Sequence, residues 1–74
     1  MTEALRINRT KQALAFLSLA KAQCRFAGSY ASWAREAESI GNRDAQRRYR
    51  AEADRLREDA RWHLGMARRL FPHD

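Results

Sequence analysis

Seventy-four residues with a net charge of +6 and one cysteine make a single domain at most, and a chain this short is marginal unless something beyond its own core supports it. Cys24 alone closes no disulfide, and one thiol with two scattered histidines makes no closed zinc site, which leaves oligomerisation as the remaining support. The basic balance points to acidic partners, whether nucleic acid or an acidic protein face, although arginine-rich usage arises equally from a GC-rich genome.

Alanine, arginine, leucine and glutamate dominate, Pro72 is the one proline, and no segment reads as a strand, so long helices are predicted from the start. Thr2 is the candidate N-cap of a first helix over about residues 3–40. Gly28 inside it costs about 1 kcal/mol relative to alanine. The break falls at Ser39-Ile40-Gly41-Asn42, where Gly41 suits the left-handed position that closes one helix and Asn42 caps the next. Asp44 then favours the positive end of a second helix over about 43–71, which Pro72 terminates. So short a connection, about residues 41–42, folds the helices back on each other. The predicted fold is all-α, one domain over 1–74: a two-helix antiparallel hairpin, with two copies forming a four-helix bundle.

The faces of the two helices differ. Tyr49, Ala53, Leu56, Ala60, His63, Ala67 and Leu70 alternate steps of four and three, the narrow seam of a coiled coil. The first helix is apolar over more than half its circumference, too much for one neighbour to cover. Its alanine-rich side (Ala13, Leu17, Ala20, Cys24, Ala27, Ala31) and its aromatic side (Leu19, Phe26, Tyr30, Trp33) are therefore predicted to meet different partners, one being the second helix and the other a second subunit or a target. Phe16, Leu17, Leu19, Phe26, Tyr30, Tyr49, Leu56, His63 and Leu70 are the candidate core or dimer residues.

Opposite the seam, Arg43, Arg47, Arg50, Arg57, Arg61 and Arg68 form a ridge at helical spacing. It reads either as a surface for phosphates or an acidic groove or as a solvated face paired internally with Asp54 and Glu58. Arg43, Arg47 and Arg50 have fewer acids within helical reach, and with Trp33 and Trp62 they are the candidate partner-binding residues. His63 on the seam reads as a hydrogen-bonded core residue and Cys24 as a small buried one. Glu58 and Asp59 are surrounded by arginines, an environment that does not suit a catalytic acid. No catalytic residue, cofactor, metal or small-molecule substrate is therefore expected.

In length, in the break at Gly41-Asn42 and in its Arg- and Ala-rich helices, the chain resembles the small helical-hairpin proteins that temperate bacteriophages of GC-rich bacteria use against their hosts, the anti-quorum-sensing and pilus-inhibiting proteins. That resemblance implies a homodimer in the host cytoplasm that occludes a host protein such as a transcriptional regulator or a motor ATPase. From the residues themselves, the expected function is a non-enzymatic protein-interaction module, an inhibitor or adaptor. The alternative is a small basic dimer that binds the nucleic-acid backbone with little base reading. A membrane partner is not expected, because the basic face is interspersed with acids and no apolar run approaches about 20 residues. The start of the chain lacks the pattern of a secretory signal.

Overall fold

A computed structural model describes residues 2–71 and consists of two helices, α1 (Thr2–Ser39) and α2 (Arg43–Leu70). They lie antiparallel along each other in a rod whose Cα atoms span 60 × 15 × 13 Å. The long dimension is that of α1 itself, since 38 residues at 1.5 Å each make about 57 Å. The predicted boundaries hold to within a residue at each end. Thr2, predicted to cap α1, is instead already in its first turn, and the stop assigned to Pro72 lies outside the described residues. Phe71 closes α2, its backbone N–H donating to the Ala67 carbonyl at 3.0 Å.

The reversal is built from Gly41 and Asn42. Gly41 has φ = 76°, the left-handed region that a side chain disfavours. Its N–H donates to the Glu38 carbonyl (3.1 Å), and the Asn42 N–H donates to the Ala37 carbonyl (2.9 Å). This pair of bonds satisfies carbonyls that the end of α1 would otherwise leave open. Asn42 then caps α2, its side-chain oxygen accepting from the Ala45 N–H at 3.2 Å. Asn42→Ala leaves that donor to water, and a loss of about 1 kcal/mol is expected in urea denaturation.

The interior between the helices is made of alanine. Ala13, Ala20, Ala27, Ala34 and Ala37 of α1 and Ala53, Ala60 and Ala67 of α2 are each at most 5% exposed, and among the described residues no large side chain is fully buried. Small residues at such a contact allow helix axes to approach toward the short end of the about 8–10 Å usual for helix pairs. Larger residues straddle the seam half-buried, among them Phe16, Leu17, Tyr30, Tyr49, Leu56, His63 and Leu70. Gly28 is not part of this close approach, since a Cβ there would meet nothing within 4 Å. Gly28→Ala should therefore raise stability by about 0.5–1 kcal/mol through helix propensity alone, measurable as a higher urea midpoint at unchanged slope.

Candidate functional site

The regular burial of the alanines has a geometric consequence for the rest of α1. Ala13, Ala20, Ala27 and Ala34 recur every seven residues and all face α2. A straight helix would rotate by about 20° per heptad away from that line, so α1 must wind around α2 as in a coiled coil. Any other seven-residue ladder on α1 then also runs at a constant angle along the rod. Leu5, Leu19, Phe26 and Trp33 form such a ladder, interrupted at Gln12, and Ile40 follows at the same spacing just past the end of α1. All five apolar residues are exposed, Phe26 at 59% and Ile40 at 78%.

Around this ladder the aromatic residues gather in two clusters that tie α1 to α2. Near the turn, Tyr30 meets Trp33 edge-on at 5.2 Å between ring centroids, and Tyr49 of α2 lies 6.1 Å from Tyr30 and 5.9 Å from Trp33. Toward the open end, Phe16 stacks on His63 at 5.6 Å and meets the edge of Trp62 at 6.0 Å. His63 Nδ1 lies 2.8 Å from Gln23 Oε1 across the hairpin, so the histidine is a hydrogen-bonded seam residue, as its position on the heptad predicts. Trp62 remains 60% exposed despite its two ring contacts.

The candidate residues do not share one patch. Tyr30, Trp33 and Tyr49 fix the aromatic flank. On the opposite flank, Arg50 lies 3.9 Å from Glu38, and Leu17, Lys21, Cys24, Arg25 and Leu64 line a shallow groove. Helical spacing puts Arg43, Arg47 and Arg50 on that second side, away from Trp33 and Trp62. Cys24, read from sequence as buried, is exposed; it sits beside the Ala20–Ala27 line in that shallow groove, which Leu64 of α2 lines without covering it.

The basic ridge is part paired and part free. Arg57 lies 3.6 Å from Asp54. Arg50 reaches Glu38 near the C-terminal end of α1, where a carboxylate is otherwise disfavoured by the helix dipole; both side chains are well exposed, so the pair contributes under about 1 kcal/mol. Arg43, Arg47, Arg61 and Arg68 form no ion pair among the described residues. Arg48 and Arg55, which the sequence reading left out, share a seven-residue column with Trp62. Arg48 lines a hollow with Tyr30, Tyr49 and Glu52. Arg55 bonds to Glu52, and that hydrogen bond holds its guanidinium even more firmly protonated than usual. The signal for these residues was the same seven-residue spacing, applied to charged positions as well as apolar ones.

Among the described residues no group of histidine, cysteine and carboxylate side chains is placed to hold a metal ion, and no helix is long and apolar enough to cross a membrane. What the arrangement offers chemically is an apolar ladder flanked by aromatic clusters on one side and a guanidinium surface on the other. The chain matches no protein-family model, no curated protein and no solved structure.

Proposed function

We propose that the hairpin is a non-enzymatic protein-interaction module, a homodimer that assembles as a four-helix bundle and binds and occludes another protein as an inhibitor or adaptor. One observation carries this reading: the large apolar side chains Leu5, Leu19, Phe26 and Trp33 stand exposed in line along α1, with Ile40 exposed just beyond it, while among the described residues the hairpin buries only alanines. Apolar surface gathered in one strip, as it is from Leu19 to Trp33, favours association with another polypeptide, because covering it contributes about 25 cal/mol for each Å² removed from water. With α1 facing its partner copy, the turn-proximal arginines Arg43, Arg47 and Arg50 face outward to form the rim of a target contact. The resemblance to phage hairpins that act on host proteins points the same way.

The free guanidiniums Arg43, Arg47, Arg61 and Arg68 favour a second reading, a dimer that grips the nucleic-acid backbone. Affinity capture from a lysate of the source organism, with and without nuclease and across a salt series, separates the two. A stoichiometric protein that survives nuclease and moderate salt, and is lost with Arg43→Glu plus Arg47→Glu while helicity is unchanged, is the expected result. Recovery of nucleic acid alone, falling steeply with salt, would overturn it in favour of the second reading.

A further inference from the structure

We propose that α1 is the dimerisation helix and meets the same helix of a second copy antiparallel, about a two-fold axis level with Cys24. The inference rests on the reading of α1 as an interaction face given above and specifies how that face is filled. Beside the exposed ladder runs a second column of seven-residue spacing, Asn8, Ala15, Ala22, Ser29 and Glu36. The two columns alternate steps of three and four, which is the spacing of a coiled-coil seam. Along it, large apolar residues on the ladder alternate with small ones: Leu19, Ala22, Phe26, Ser29, Trp33.

That alternation is self-complementary in one register. With the axis level with Cys24, Phe26 of one copy lies over Ala22 of the other, Leu19 over Ser29, and Trp33 over Ala15, so every large side chain meets a small one. The same register brings Glu36 opposite Gln12 and Ile40 opposite Asn8. Lys11, on the flank of the seam, comes level with the second copy's Glu36. A parallel copy would instead set Phe26 on Phe26 and Trp33 on Trp33 while the small residues faced one another across voids, which close packing disfavours. The corresponding surface of α2 carries Arg48, Glu52, Arg55 and Asp59, charges that a buried seam would strand. The seam on α1 lies about a third of a turn from the line of buried alanines, on a side where Leu19, Phe26 and Trp33 stand exposed and a second neighbour can pack.

The full chain in a Cys24→Ser background, with nitroxide labels at Arg25→Cys or Lys11→Cys on the flank outside the seam, reads the arrangement directly. Expected are a dimer by sedimentation at micromolar concentration, a label separation below about 25 Å at position 25, and one of about 40 Å at position 11 from the 1.5 Å rise per residue. Leu19→Glu with Phe26→Glu, neither of which contributes to the aromatic clusters of the hairpin, should give a monomer of unchanged helicity. A folded wild-type monomer at that concentration, short separations at both positions, or a charge variant that stays dimeric would each overturn the proposal. A wild-type monomer that still captures a target protein would overturn it while the interaction-module reading stands. A dimer with the stated separations that captures none supports it while target binding fails.

Discussion

Ala20→Leu is expected to wedge the hairpin open near its middle and to cost about 1–3 kcal/mol. Ala20 is 1% exposed against α2, and the seam has no large buried side chain that could shrink or turn aside to admit an isobutyl group. Relief requires the helix axes to separate, and separation loosens the neighbouring Ala13–Ala67 and Ala27–Ala53 levels as well. The appropriate control is Ser18→Leu, which adds the same side chain at an exposed position and should change stability by no more than about 0.5 kcal/mol. Urea denaturation followed at the helix band of circular dichroism distinguishes the two. A loss at Ala20 no larger than at Ser18 would show that the alanine line is not the tight contact.

Phe16→Ala is the second large effect, expected at about 2 kcal/mol. Full burial of a phenylalanine would place the loss at about 3–5 kcal/mol, but Phe16 is half-buried and the figure scales down accordingly. The ring holds His63 by stacking and Trp62 by its edge, so its removal opens the end of the hairpin away from the turn. In a Trp33→Phe background, where Trp62 is the sole fluorophore of its kind, emission should shift to the red as Trp62 loses that cover. The turn-proximal cluster around Tyr30 and Tyr49 is far along the rod, and an equal disturbance there would contradict the picture of two separate clasps.

Much of this fold is legible residue by residue. Gly41 and Asn42 announce the reversal because one tolerates positive φ and the other carries a short acceptor side chain. His63 falls on the α2 heptad and is indeed hydrogen-bonded there. Two neighbours for α1 were anticipated from the width of its apolar arc; the alanine side meets α2, but Tyr30 and Trp33 of the aromatic side also contact its Tyr49, because α2 is wide enough to touch the edge of that side and leaves Leu19 and Phe26 uncovered. Cys24 was misread because proximity to an alanine seam was taken for burial. The Arg50–Glu38 contact was missed because helical spacing compares residues only within one helix.

The sequence by itself determined what is local: two helices, their caps, the place of the turn, and the seven-residue repeats on each face, all of which follow from backbone preferences and periodicity. Tertiary structure alone decided which repeat goes inside. Both the alanine line and the line through Leu19, Phe26 and Trp33 are apolar, and hydrophobicity favours burying the larger one. The hairpin instead buries the alanine line between its helices, with Phe16, Tyr30 and His63 half-buried at its edges, and leaves Leu19, Phe26 and Trp33 exposed on α1. The same winding sends the aromatic residues to one flank and the turn-proximal arginines to the other, a separation that depends on how two helices cross and that no single helix encodes.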